Sequence, residues 1–454
     1  MTIGEREAIH PDPTAEARAV RLRRWIFGTQ LGVVGVGYLV YAMNRSAFPI
    51  GLSDLGKTLG FSALQIGTLA TIFLLGQAVI DVPAGVMNYS RGKPGITHRI
   101  NTMMLIGTAG AGVASLLLAF LAVNYPLTLA YRVLFGIFEG IFNICVYSFA
   151  GSVLPKRRAF LNTVMGFFFA AGSVIGPTAF GQIIASSDGD EGWRIGLGWF
   201  GGITVVLAVI MFVIILVTLR KTQGPTQQTD TAEEPDPSDA SVKAAFRDVV
   251  RRIPMWKGLS IHAVNLISYW MFSGLMPTFL KQYQGMSVEF VGLLFGTAFG
   301  LTSLVSPLLG LLADKLGRRI VVVVLALVDA VGLYILLMHP PGEVMTFVIV
   351  FLIGVGLNTL YFTGYTLAQD GVPNNRVAIA TGFAGAVGYL VASGAGPLSG
   401  WITGAWGYQA AGIVELVIPQ LIVVVLAMMF LPGIREWKKQ REMKAGLLVG
   451  EPEA

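Results

Sequence analysis

The sequence predicts an all-α membrane protein: twelve transmembrane helices in two six-helix, pseudo-symmetric halves. Three observations predict it. Hydrophobic residues make up 54% of the chain and charged residues only 13%, against roughly 25% charged in soluble domains. Twelve apolar segments are each long enough, at about 20 residues, to cross the hydrocarbon core. Motifs in the first six segments recur in the last six, 218 to 225 residues later.

The elements follow in order. Residues 1–24 are a polar N-terminal tail without the pattern of a cleaved signal peptide. Apolar segments at roughly 25–49, 63–86, 100–123, 127–154, 160–186 and 195–219 form an N-terminal bundle over 25–219. Residues 220–256 are a polar linker. Its centre, TQGPTQQTDTAEEPDPSDA, has the composition of a disordered segment. The following VKAAFRDVVRR reads as a short helix lying on the membrane surface. Segments at roughly 257–282, 288–312, 320–340, 344–369, 377–403 and 410–431 form a C-terminal bundle over 257–431, and 432–454 is a second tail.

The cations orient this arrangement. With both termini cytoplasmic, 27 of the 32 Lys and Arg residues fall on cytoplasmic segments. Lys57, Arg194 and Lys281 fall opposite, and Arg45 and Arg132 lie within helices. This bias predicts a multi-pass protein of the cell (inner) membrane. It also explains the basic isoelectric point, near 9.3, without nucleic acid. A single cysteine, Cys145, offers no intrachain disulfide. No nucleophile triad, metal-ligand spacing or phosphate loop occurs, so neither an enzyme nor a cofactor is expected.

The repeats are specific. GSVIGPTAFG in the fifth helix matches ASGAGPLSGW in the eleventh. LPKRRAFLNT before the fifth matches VPNNRVAIAT before the eleventh, and GFSALQIG opening the second matches GMSVEFVG opening the eighth. Repeats on this scale are a signature of secondary transporters, whose site lies between the halves.

GLLADKLGRR lies between the eighth and ninth helices. It resembles the loop signature of the major facilitator superfamily, with Gly310, Asp314, Gly317, Arg318 and Arg319 in the signature positions. Gly310 would let helices approach closely, and the arginines would complement carbonyl ends and carboxylates of neighbouring helices. The first-half copy, GVMNYSRGKPG, carries Asn88 in place of the acid. In the fourth helix, YRVLFGIFEGIFN resembles the Arg–Gly–Glu pattern of the anion:cation symporter family, through Arg132, Gly136 and Glu139. NRSAFPI in the first helix is similar to that family's Asp–Arg pair, with Asn44 replacing the aspartate. The resemblance implies the major facilitator fold and proton-coupled organic anion transport.

Four helices carry polar stripes at helical spacing, which keeps each set on one face. They are Tyr38, Tyr41 and Arg45; Arg132, Glu139 and Asn143; His262, Asn265 and Tyr269; and Asn358, Tyr361 and Tyr365. In lipid such faces turn toward protein or a water-filled cavity. These are the first, fourth, seventh and tenth helices, which line the central cavity in the superfamily.

Arg45 interrupts the apolar run GVGYLVYAMNRSAFPIG, at about 2.5–3.5 kcal/mol on insertion scales. Its planar, permanently charged fork suits a carboxylate. The substrate expected is therefore a small organic anion, a sugar acid, aromatic acid or other monocarboxylate. Arg45, Tyr38, Tyr41, Asn265, Tyr269, Asn358 and Tyr361 would bind it. Glu139, with Arg132, would carry the coupling proton, exchanging partners between the two arginines. A static Arg132–Glu139 or Arg45–Glu139 ion pair is the plainer alternative. Asp81, near the cytoplasmic end of the second helix, belongs with the gating residues, and His262 reads as a satisfied polar residue. Asp329 and Glu415 lie in helices peripheral to the superfamily's cavity, and no role is assigned to them. The partners expected are the anion, protons and the bilayer, with the protein acting as a monomer.

Three other functions compete. An organophosphate:phosphate exchanger wants an arginine from each half, and the counterpart of Arg45, 225 residues on, is Trp270. A cationic drug:proton antiporter favours an acid in the first helix, and residues 25–49 hold none. A sensor on a transporter scaffold is separated only by a flux assay.

Overall fold

Lipid offers backbone N–H and C=O groups no partner, so apolar runs satisfy them internally as helices. The computed structural model describes residues 13–89, 96–153, 158–187, 191–222, 242–373, 376–434 and 436, and among them helix is the only regular element. The proposed disordered centre of the linker lies outside the described residues.

The N-terminal half comprises α1 (Pro13–Leu59), α2 (Ala63–Thr71), α3 (Phe73–Tyr89), α4 (Ile96–Leu121), α5 (Tyr125–Val153), α6 (Arg158–Ala185) and α7 (Gly192–Thr222). α2 and α3 together make one crossing. α8 (Val242–Arg251) precedes the C-terminal half: α9 (Ile253–Gln282), α10 (Val288–Leu293), α11 (Ser306–Leu316), α12 (Arg318–Met338), α13 (Glu343–Asp370), α14 (Val377–Gly412) and α15 (Ile418–Phe430). Eight stretches among the described residues are long and apolar enough to span a membrane. The last of these, 379–430, holds two crossings, and the more polar α1, α9 and α10–α11 complete twelve. α1 begins and α15 ends on one face, here the terminal face. Gly60 and Gly285, both at positive φ, turn the chain on the opposite, distal face.

Four expected elements come out differently. α1 runs well beyond 25–49 at both ends. The eighth helix is broken: a π-turn at Leu294–Phe299 and a 3-10 turn at Gly300–Leu304 join α10 to α11. The eleventh and twelfth helices are parted by one residue, Gly407 (φ 85°), where the sequence predicted a longer loop. The helix after the linker docks on protein as well as being amphipathic: Ala245 and Val249 are fully buried against Met255, Ile379 and Ala380.

The halves pack in matching patterns. α1 lies on α6 and α7, as α9 lies on α14 and α15. Two seams join the halves, α2–α3 against α14 and the α10 crossing against α6. These are the very helices whose sequences repeat. Both seams need small residues for close backbone approach. A Cβ on Gly67 would fall 2.3 Å from the Gly396 carbonyl oxygen, and one on Gly292 would fall 2.5 Å from that of Pro177.

Candidate functional site

Between the halves lies a cavity of about 660 Å³. α1 contributes Arg45, α5 contributes Arg132, α9 contributes Tyr269 and Trp270, and α13 contributes Asn358. Seam helices close its sides through Phe73, Phe169, Ser173 and the broken segment at Phe299–Gly300. Four sequence-predicted residues therefore reach the wall: Arg45, Arg132, Tyr269 and Asn358.

Arg45 is half-buried and held in an aromatic clasp. Its Cζ lies 4.1 Å from the Trp270 ring centroid, 5.4 Å from Phe73 and 5.6 Å from Tyr41. Desolvated cation–π contacts of this kind reach about 2 kcal/mol. Nη1 donates to the Tyr41 hydroxyl, and Nη2 donates to Gln77 Oε1 at 3.4 Å. Gln77, fully buried on α3, in turn donates from Nε2 to Glu139 Oε2 at 3.0 Å and to the Tyr41 hydroxyl at 3.3 Å. Arg45 and Glu139 are thus linked through an amide, with no direct ion pair. Glu139 is 1% exposed, and its Oε1 has no hydrogen-bond partner among protein atoms.

Arg132 is 3% exposed. Its Cζ sits 3.7 Å from the Phe48 ring and 4.7 Å from Phe73, and its Nε donates to the Leu69 carbonyl at 3.4 Å. The static ion pair with Glu139 is absent, because seven residues along one helix place the two about 10 Å apart along the axis.

The remaining predicted ligands stand elsewhere. Tyr38 and Tyr41 do not line the cavity; they stack with Phe142 and Phe169 on its terminal side. Tyr361 likewise pairs with Tyr389 of α14, hydroxyl to hydroxyl at 2.6 Å. Asn265 faces away from the cavity, its Oδ1 accepting from Gln420 of α15 at 3.0 Å. Asn358 spends its amide on the broken helix, donating to Thr302 Oγ1 at 3.0 Å, Gly354 O at 2.9 Å and Phe299 O at 3.4 Å. Its Oδ1 accepts from the Tyr269 hydroxyl at 3.4 Å. It braces the break as well as facing the cavity.

The gating residues divide. Asp81 sits on a seam, where a Cβ on Gly385 would fall 2.4 Å from its Oδ2. Gly317 (φ 96°) breaks the chain between α11 and α12, and Arg318 pairs with Asp370 at the end of α13. Arg319 Nε lies 3.4 Å from Met428 Sδ. Gly310 does not serve close approach, since a Cβ there would meet open space. The side chain of Asp314 lies outside the described residues. His262 is not a satisfied polar residue: it is fully buried with neither ring nitrogen hydrogen-bonded, its ring 4.2 Å from that of Tyr365. Asp329, fully buried, presses on α13 at Gly356, and Glu415, 2% exposed, lies in a π-turn before α15.

Sequence reasoning missed Gln77, Trp270 and Tyr389 as site residues. It also missed the distal closure, where Lys281 Nζ of α9 donates to Asp54 Oδ2 at 2.5 Å and to Ile50 O at 3.0 Å on α1. A lone amide within the apolar FLLGQAVI, four residues before Asp81, was the available signal for Gln77.

The sequence matches the Major Facilitator Superfamily over residues 34–397 and 259–449. A Bacillus subtilis (strain 168) protein described as "Uncharacterized MFS-type transporter YdeG" is 22% identical over 407 residues, covering 84% of this chain and 91% of its own length. Among solved structures, the fold is similar to a bacterial homolog of the human lysosomal transporter Spinster in an inward-facing, unoccupied conformation. That likeness has a TM-score of 0.65 at 16% identity, over 92% of this chain and 96% of the other. It is similar too to a D-xylose-proton symporter, with a TM-score of 0.66 at 14% identity, over 89% and 97%.

Proposed function

The chain belongs to the major facilitator superfamily, a family of membrane transporters rather than enzymes, and from that premise we propose that it carries an organic anion together with protons. The anion's carboxylate binds Arg45, and the halves rock about the cavity to expose it to each side in turn. In this reading the protein is a member of the anion:cation symporter family, a monomer in the cell membrane with both termini cytoplasmic.

One observation carries the substrate class. Among the described residues lining the cavity, the charged ones are Arg45 and Arg132, and none is acidic. In a low-dielectric cavity such a wall attracts an anion and repels a cation. Arg45 is the anchor because its guanidinium is the less buried of the two and offers a planar fork.

The linkage supplies a coupling mechanism. Ionised Glu139 holds the Gln77 amide so that its carbonyl oxygen takes an Arg45 N–H. Protonated Glu139 is itself a donor and releases that amide. Arg45 is then free to bind the substrate carboxylate, and deprotonation after release restores the resting linkage.

A second reading, exchange of phosphorylated anions, is favoured by Arg132 as a second guanidinium on the wall. It ranks below the first because both arginines come from the N-terminal half, and Trp270 fills the counterpart position.

Thermal-shift measurements with a panel of organic acids, their neutral amides and their phosphorylated counterparts test the substrate class. Carboxylates should stabilise the protein, and Arg45→Lys should lose about 30-fold or more in affinity, the cost of breaking a buried charged contact. Uptake in proteoliposomes tests coupling. Glu139→Gln should keep binding and exchange while losing uptake driven by a proton gradient. Stabilisation by cations alone overturns the substrate class, and gradient-driven accumulation by Glu139→Gln overturns the coupling.

A further inference from the structure

Glu139 does not line the central cavity. It borders a separate small pocket within the N-terminal half, between α1, α4, α5 and α7. Gln77, Tyr41 and the Arg45 guanidinium stand between that carboxyl and the substrate cavity. A second small pocket lies between α1, α4 and α7 alone. On each helix its residues fall about two to three turns nearer the terminal face: Val33 and Val34 against Val40 and Asn44, Asn101 against Thr108, and Ile214 and Ile215 against Thr204. Met104 and Met211, both 1% exposed, line the second pocket on the side of the first.

We propose that these two pockets are a proton route to Glu139, a short file of water entering from the terminal face and bypassing the substrate cavity. The inference rests on the reading of Glu139 as the coupling acid and deepens it.

The wall of the inner pocket suits water. A buried water needs two to four polar partners. The pocket is lined by the polar residues Glu139, Asn44, Thr108, Thr204 and Tyr41. Glu139 Oε1 is buried and unpartnered. Asn44 spends its Nδ2 on Val40 O at 3.0 Å and Thr204 Oγ1 at 2.8 Å, leaving Oδ1 with only a 3.5 Å contact to Ser115 Oγ. The charged groups nearest Glu139 are Arg45 on α1 and Arg132 on its own helix, with Tyr41 the titratable neighbour. In the pocket, α4 and α7 present hydroxyls and no charge.

Electrostatics separates the two routes. A hydronium crossing the substrate cavity must pass the Arg45 cation, whose repulsion is strong in low dielectric. Among the described residues lining the two pockets there is no cation. At its end the nearest water gives up a proton and the Oε1–H bond forms. That water is reprotonated by its neighbour, and the deficit passes out to solution. Methionine thioethers are flexible enough to let the file through.

A pH jump followed by time-resolved infrared spectroscopy tests this on the full chain in lipid nanodiscs, with no substrate needed. The carboxyl C=O band that vanishes in Glu139→Gln reports the protonation of Glu139. Ala111→Leu fills the inner pocket, and Asn101→Leu blocks its mouth if the first variant fails to fold. Either should slow the rise of that band tenfold or more. An unchanged rate in both, or slowing instead in Ser273→Phe, which narrows the substrate cavity, overturns the route while leaving Glu139 as the coupling acid. If Glu139→Gln removes no pH-sensitive band, the coupling reading fails and the route fails with it.

Discussion

The Trp270 ring lies 4.1 Å from the Arg45 guanidinium carbon, and the two residues hold corresponding positions in the two halves, 225 residues apart. A repeat that kept arginine at both positions would set two like charges against each other in the empty cavity. Trp270 instead stabilises the cation through its ring face and adds no second charge.

This contact predicts a graded effect. Trp270→Phe keeps a ring under the guanidinium and should hold anion affinity within a few-fold. Trp270→Leu removes it and should weaken binding roughly 30-fold, the equivalent of about 2 kcal/mol for a desolvated cation–π contact. Isothermal titration with the best acid from the panel measures both.

Gln77→Leu should separate binding from coupling. The leucine is close in size but cuts the hydrogen-bonded link that the described residues make between Glu139 and Arg45. Exchange across proteoliposomes should persist, and uptake driven by a proton gradient should fall to the level of Glu139→Gln. Undiminished gradient-driven uptake would show that the carboxyl and the guanidinium communicate by another path.

Asp54→Asn and Lys281→Met should each open the distal side. The pair is nearly buried, with side chains 19% and 10% exposed, and it ties α1 to α9 across the halves. Hydrogen bonds to charged groups are worth about 1.5–3 kcal/mol, so either change should raise the population open to that side about tenfold or more. With Cys145 replaced by serine, the labelling rate of Ser273→Cys from the distal side reports it.

Ser187→Cys and Lys243→Cys should label from opposite sides of intact cells, the first from outside and the second only after permeabilisation. Equal labelling from outside would overturn the orientation drawn from the 27-to-3 distribution of cations.

Gly356→Ala should destabilise the C-terminal half, because its Cβ would fall 2.0 Å from Asp329 Oδ1. Overpacking of this kind costs about 1–3 kcal/mol. Asp329→Ala should relieve it, so the double variant should melt above Gly356→Ala alone.

The twelve crossings and the two halves were legible because length, hydropathy and repetition all report them locally. The break in the eighth helix was not legible. Its freed Phe299 carbonyl is taken by Asn358 and Thr302, partners that sequence spacing does not reveal. Nor was the near-fusion of the last two crossings, which depends on the backbone angle at Gly407. In the cavity, Arg45 and Arg132 stood out because a cation in lipid is costly enough to need a reason. Gln77 and Trp270 carry no such cost and passed as ordinary residues of apolar helices. Stripe spacing put Asn265 and Tyr269 on one face, but such a face is wide enough to serve both a cavity and a neighbouring helix. Asn265 went to Gln420, and Tyr269 to the wall.

The two seams have a kinetic consequence. Where interlocked side chains join two surfaces, sliding requires them to disengage, and that adds to the activation barrier. At Gly67–Gly396 and Gly292–Pro177 the contact is backbone on backbone, with little side chain to clear. The empty carrier can therefore reorient without melting its own joints. The temperature coefficient of its return stroke should be shallow, and the distal ion pair, not the seams, should set the pace.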